Sequence, residues 1–318
     1  MGRVSVRAFE PGDLDEAARL LAERHRRHRL VEPLLSARWE YPAVARAELS
    51  DVLETGSGAV AEEDGRLTGF VLGSPKDSPM WGPNLWVEAA GLAGDDPETM
   101  RDMYAVAAAR WVADGHTTHY VIVPSHESAI VDAWFRLGFG QQHAHAIRDV
   151  PTEEPITKLT VRRAWRDDID VLARLDLALP EHQGSSPVFA AGTVATYEQT
   201  LAEWEADFDD ESYATFVAEV DGRVVGSGIG CALEKSSLHL GPARPDNAGF
   251  LGFAAVLPES RGTGAGRALG ETIGWWAAQA GFNSVVTDWR VTNLLASRAW
   301  PRLGYRTTFL RLHRTIGY

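Results

Sequence analysis

The chain is written twice, and that repeat constrains its fold more than any other feature. Val6 to Leu20 reads VRAFEPGDLDEAARL and Val161 to Leu175 reads VRRAWRDDIDVLARL, an offset of 155. Val60 to Gly69 (VAEEDGRLTG) matches Val217 to Gly226 (VAEVDGRVVG) at 157, and Trp134 to Phe139 (WFRLGF) matches Trp300 to Tyr305 (WPRLGY) at 166. Three blocks in one order, with slowly growing offsets, describe a duplicated domain with small loop insertions. A length of 318 residues suits two domains. The boundary is expected in Val150-Pro151-Thr152-Glu153-Glu154-Pro155, where prolines and acids without apolar periodicity read as a linker. That gives a first domain over residues 1–150 and a second over 156–318.

Both copies show the same coarse pattern. A short strand (Val4–Arg7; Lys158–Val161) leads into a helix with apolar residues at helical spacing, Leu14 to Leu21 or Ile169 to Leu175. Asp13 and Asp168 stand near the helix starts, where a carboxylate can cap free N–H groups. A β-hairpin follows, turning at Asp64-Gly65 or Asp221-Gly222. The second copy continues with an apolar strand (Phe250 to Leu257), Pro258, a glycine loop and a helix from Ala268 to Ala280. A strand from Ser284 to Trp289, a helix from Asn293 to Arg302 and a last strand from Arg306 to Leu312 complete it. The expected class is α+β, a mixed sheet flanked by helices.

Composition narrows the function. The single cysteine, Cys231, allows no intramolecular disulfide and fits a reducing, cytoplasmic setting, with a small buried apolar role expected for the thiol. No segment has the length and apolarity of a signal peptide or membrane span, so no membrane partner is expected. A net charge of −13 argues against nucleic acid and mildly favours an amine-bearing substrate.

The informative segment runs from Phe250 to Leu269. Pro258 ends the strand because it has no N–H to give the ladder. Gly262, Gly264 and Gly266 let the backbone turn its N–H groups inward, and a helix N-terminus follows at once. That is an anion cradle suited to a diphosphate, with Arg261 and Arg267 at its ends. A P-loop would need Gly-Lys-Ser/Thr where Gly266-Arg267-Ala268 stands, and the glycine spacing misses the dinucleotide fingerprint.

Arg261-Gly262-Thr263-Gly264-Ala265-Gly266 after Val256-Leu257-Pro258 resembles the cofactor signature of the GNAT superfamily of N-acetyltransferases. Asn293-x-x-Ala296 opening a helix that ends in Trp300-Pro301-Arg302-Leu303-Gly304-Tyr305 is similar to a second family element. The resemblance covers residues 158–314 by motif and 3–149 through the repeat. It implies two acyl-CoA N-acyltransferase domains in tandem, each a mixed, mostly antiparallel sheet flanked by helices.

It also implies acetyl-CoA as co-substrate, no metal, and direct attack of a small-molecule amine on the thioester. The cofactor would be held by the Val256 and Leu257 backbone, by the loop Arg261, Gly262, Thr263, Gly264, Ala265, Gly266 and Arg267, and by Asn293 and Ser297. A non-catalytic acyl-CoA-binding or regulatory protein and a protein N-acetyltransferase remain as alternative readings.

The catalytic groups depart from the family pattern. Trp300 stands where many members place the tyrosine that protonates the leaving thiolate, and an indole is no such acid. Tyr305, the hydroxyl of Ser297 or water could replace it. The loop strand carries no acid to serve as base, which leaves Asp288 first, then His239, Asp246 and His182. An offset of 166 maps the cradle onto Asp95 to Met100 of the first copy, three carboxylates without a glycine, so that copy is expected not to bind acetyl-CoA. The basic run Arg24 to Arg29 reads as a solvated helix face. The histidines at 116, 119, 126, 143 and 145 are too irregularly spaced for zinc.

Overall fold

The computed structural model describes residues 4–78, 82–190, 192 and 194–317. The first copy folds as β1 (Ser5–Ala8), α1 (Leu14–Val31), α2 (Pro42–Thr55), β2 (Ser57–Glu63), β3 (Arg66–Ser78), β4 (Gly82–Val87), β5 (Leu92–Gly94), α3 (Pro97–Ala113), β6 (Thr118–Pro124), α4 (Ser128–Arg136) and β7 (Gly140–Asp149). The second follows the same order as β8 (Thr160–Arg163), α5 (Ile169–Gly184), α6 (Tyr197–Asp207), β9 (Tyr213–Val220), β10 (Arg223–Ala232), β11 (Ala248–Val256), α7 (Ala265–Gln279), β12 (Ser284–Arg290), α8 (Leu294–Arg302) and β13 (Arg306–Thr315). Where the second copy has β11, the first has β4 and β5.

The hairpins form as the sequence predicts. Asp64 and Gly65 have φ of 50° and 76°, and Asp221 and Gly222 have 50° and 72°, the doubly left-handed geometry that matches strand twist. Asp13 and Asp168 act otherwise than predicted. Neither bonds its own helix. Asp13 accepts the Glu10 N–H at 2.8 Å and both Arg7 guanidinium nitrogens at 2.7 Å. Asp168 accepts the Trp165 N–H at 2.7 Å and Arg162 at 2.7 and 3.0 Å. A 3-10 turn precedes each helix, so the carboxylate faces back and ties the first strand to the turn. Each arginine also reaches the hairpin, Arg7 to Glu62 at 2.6 Å and Arg162 to Glu219 at 2.7 Å.

Strand alternation builds two faces in the first unit. Val71 packs with Met100, Met103 and Trp111 on one side, while Phe70 and Leu72 pack with Leu21, Trp39 and Leu49 on the other. In the second, Leu172 and Leu175 of α5 and Leu269 and Ile273 of α7 are buried, as are Val217 and Val285 of the sheet.

The compact units do not follow the linear copies. One contains Met1–His145, His239–Pro245 and Thr307–Tyr318; the other contains Ala146–Leu238 and Asp246–Arg306. Accordingly β13 runs antiparallel to β6, from Phe309 opposite Pro124 to Thr315 opposite Thr118. The last strand of the second copy thus completes the first unit, and the end of β7 belongs to the second. The division into 1–150 and 156–318 tracks the repeat but not the units. Two copies of one fold end in strands of like pattern, and local sequence does not say which sheet each will join.

Candidate functional site

The second unit opens its sheet beside the glycine loop. β11 pairs with β10 from Ala232 opposite Gly249 to Gly226 opposite Val256. With β12 it runs parallel only over Ala248–Phe250 opposite Ser284–Val286. The Thr287 hydroxyl donates to the Leu251 carbonyl at 3.0 Å, and beyond it the strands part. Ala254, Ala255 and Val256 on the parted stretch form one wall of a cavity of about 490 Å³. Ala178, Leu179 and His182 of α5 form a second wall, and α8 from Asn293 to Leu303 a third. The cradle closes one end with Arg261, Gly262, Gly264, Ala265, Gly266 and Arg267.

Gly262 and Gly264 have φ of 86° and 94°, and a Cβ on either would meet nothing within 4 Å. Glycine is needed there for backbone conformation, not for space. The Thr263 hydroxyl donates to the Ser260 carbonyl at 2.8 Å and accepts from the Ala265 N–H at 3.4 Å, which pins the loop. The first helical bond runs from the Ala268 N–H to Gly264 at 3.0 Å. The N–H groups of Gly266 and Arg267 precede it and stand open to the cavity at the positive end of α7. Arg267 is engaged by Glu271 at 2.8 Å, whereas Arg261 has no ion pair among the described residues.

Asn293 caps α8: its Oδ1 accepts from the Leu295 and Ala296 N–H groups at 3.2 and 3.3 Å. The same oxygen lies 3.4 Å from His182 Nε2, which leaves the Asn293 amide N–H groups for a ligand. His182 is the imidazole of this cavity, and no carboxylate lines it among the described residues.

The catalytic residues ranked first from sequence lie elsewhere. Asp288 is half-buried on β12 and does not line the cavity. Its neighbour Trp289 sends Nε1 to the Ser297 hydroxyl at 3.1 Å, so alternation turns Asp288 to the face away from α8. Ser297 in turn donates to the Val291 carbonyl at 2.8 Å, which commits its hydroxyl to the start of α8. Tyr305 is buried behind Trp300, with ring centroids 6.1 Å apart, and its hydroxyl has no hydrogen-bond partner among the described residues. Burial pushes that phenol up, against its use as an acid. His239 is buried in the first unit, its ring 4.7 Å from that of His145. Leu257 turns its N–H to the Val225 carbonyl at 2.9 Å, which leaves Val256 as the cavity-facing residue of the pair. Ala178, Leu179 and Arg302 were not among the sequence candidates. Their signal was the spacing along α5 and α8, which puts Ala178 and Leu179 on one helical face with His182, and Arg302 on one face with Leu295 and Ala299.

The first unit fills the equivalent places with its own side chains. Gly69 opposes Gly94 as Gly226 opposes Val256, a strand offset of 162. Gly69 packs on Met103 as Gly226 packs on Leu269, a helix offset of 166. The connection is therefore four residues shorter in the first copy. Asp96 caps α3 by accepting the Thr99 N–H at 2.7 Å, Asp95 pairs with Arg27, and Glu98 pairs with Arg101 and Arg136. Arg24, the counterpart of Leu179, is fully buried and donates to the carbonyls of Ala89 (2.6 Å) and Leu92 (2.5 Å). Leu92 is the register counterpart of Ala254. The guanidinium thus occupies the strand edge that lines the cavity in the second unit.

The second unit thus sets a glycine cradle on a helix N-terminus beside a parted strand pair, in a mixed sheet flanked by helices. Residues 179–305 match the acetyltransferase (GNAT) family, and the second unit carries a domain of that family. An uncharacterised N-acetyltransferase of Methanocaldococcus jannaschii is 39% identical over 92 residues, 29% of this chain and 51% of its own length. The match therefore spans about half of that relative. The crystal structure of a GCN5-related N-acetyltransferase from Sphaerobacter thermophilus covers 99% of this chain and 97% of its own, with a TM-score of 0.57 at 14% identity. The GCN5-related glucosamine N-acetyltransferase region of a fungal multi-domain GH3 β-N-acetylglucosaminidase covers 98% of this chain and 38% of its own, with a TM-score of 0.50 at 16% identity. At such identities the likeness is one of fold, and it extends over both copies. No helix among the described residues is long and apolar enough to cross a membrane.

Proposed function

We propose that the second unit binds acetyl-CoA in the 490 Å³ cavity and transfers the acetyl group to the amine of a small molecule. One observation carries the reading: a single cavity joins the open N–H groups of the cradle to a strand edge freed from its partner and to an imidazole. The cradle would hold the diphosphate, and the freed edge at Ala254 to Val256 offers backbone groups to the amides of the pantetheine arm. His182 takes the place of Asp288 as the base, because it is the imidazole that lines the cavity and Asp288 does not. As the amine attacks the thioester carbon, the proton passes to His182 and the carbon–sulfur bond breaks; water protonates the thiolate, since Trp300 cannot.

Release of free CoA thiol, followed over a panel of amines and over pH, tests this. The expected result is amine-dependent release whose rate falls about a hundredfold or more in His182→Gln. Cofactor binding without thiol release for any amine would leave the non-catalytic reading, which the lack of a carboxylate among the described lining residues favours.

A further inference from the structure

The two copies differ at one pair of residues in a way that bears on cofactor selection. In the first unit, Arg136 ends α4 and donates to Glu98 Oε1 at 2.7 Å, and Glu98 lies in the first turn of α3. An arginine at that position therefore reaches an anion at the N-terminus of the neighbouring helix. The offset of 166 carries Arg136 onto Arg302 and Glu98 onto Gly264. The second copy keeps the arginine and deletes its carboxylate.

Arg302 lines the cavity from the last turn of α8 and is exposed, with no ion pair among the described residues. The end of α8 lies against α7, since a Cβ on Gly270 would come within 2.6 Å of Leu303 Cδ1 and 3.3 Å of Trp300. Gly270 is little more than one turn from the cradle. A chain of net charge −13 repels polyanions at long range, so a polyanionic cofactor needs local cations.

We propose that Arg302 binds the 3′-phosphate of the cofactor and makes the cavity selective for the 3′-phosphorylated form. This rests on the acetyl-CoA reading above. In that reading the diphosphate would be met by the N–H groups of Gly266 and Arg267 and by Arg261, all of which line the cavity. The 3′-phosphate sits on the same ribose that carries the diphosphate, hence within one sugar ring of the cradle. It adds a second centre of negative charge beside the diphosphate. A guanidinium suits it, because its paired donors match two phosphate oxygens.

The test compares CoA with dephospho-CoA in calorimetric titrations of the full chain, wild type against Arg302→Gln and Arg298→Gln. Arg298 is on the same helix but outside the cavity lining. Wild type should prefer CoA by about tenfold or more. Arg302→Gln should bring the two ligands within about twofold while leaving dephospho-CoA affinity unchanged, and Arg298→Gln should keep the preference. Equal loss of both ligands in Arg302→Gln would put the arginine on the diphosphate and overturn the assignment. A preference that survives in Arg302→Gln, or is absent from wild type, would overturn it too. Failure of wild type to bind either ligand would instead refute the acetyl-CoA reading itself, and this inference with it.

Discussion

Gly264 can be replaced in two ways that separate the conformation of the cradle from its charge. At φ 94° an alanine pays the left-handed penalty of about 1–2 kcal/mol, and nothing is added to it, because the new Cβ meets no atom within 4 Å. Gly264→Glu carries the same backbone cost but places a carboxylate where the first copy has Glu98. At about 5 Å from a phosphate charge, with an effective dielectric of about 20, the repulsion is about 3 kcal/mol. That is about a hundredfold in affinity. An acid at a helix N-terminus favours the dipole, so the glutamate variant should be no less stable than the alanine one. Thermal unfolding and calorimetric titration of CoA on both proteins give the comparison. Near-equal melting temperatures with a large extra loss of affinity in the glutamate variant are expected, shrinking as salt is raised. Equal weakening in both would mean that only backbone shape matters. Wild-type affinity in the glutamate variant would mean that the diphosphate is not held at the cradle.

The other predictions concern the first unit. Burial holds His28 and His25 down from 6.5, to about 2 and about 4. A folded-state value below the unfolded one gives stability that is complete above about pH 6.5 and lost as pH falls; His28 alone should cost about 3 kcal/mol by pH 4. Urea unfolding at pH 7.5, 5.5 and 4 should show this loss, and should show less of it in His28→Gln; equal slopes in the two proteins would contradict it. Burial also lowers the Arg24 guanidinium, to about 10. Arg24→Met should cost about 2–4 kcal/mol by stripping two buried carbonyls of their donor. It should open no second cofactor site, because the connection before α3 is four residues short. Unchanged stability, or two bound cofactors, would refute the account of the slot.

What could be read in the sequence was what local chemistry dictates. Asp-Gly pairs demand hairpins, Pro258 ends a strand, and glycines at 262 and 264 announce left-handed backbone. The duplication is plain because core positions recur in order. What could not be read depends on pairing and direction. Asp288 ranks first among the candidate bases on sequence alone, but alternation along β12 turns it to the face opposite Trp289. His239 is close in sequence to the loop strand and belongs to the other unit. His182 ranks behind Asp288 on that footing, since only the meeting of α5 with the N-cap of α8 brings it to Asn293. The run Arg24 to Arg29 reads as a solvated face, yet Arg24, His25 and His28 are buried: backbone carbonyls meet Arg24 and His25, and His28 packs on the Phe309 ring. Strand exchange at β13 leaves no local trace at all.

Calorimetric titration of acetyl-CoA into the intact chain tests the central claim most directly. The account predicts one site per chain, in the second unit. Two sites would contradict the filled slot of the first unit, and no binding would contradict the cofactor reading of the cavity.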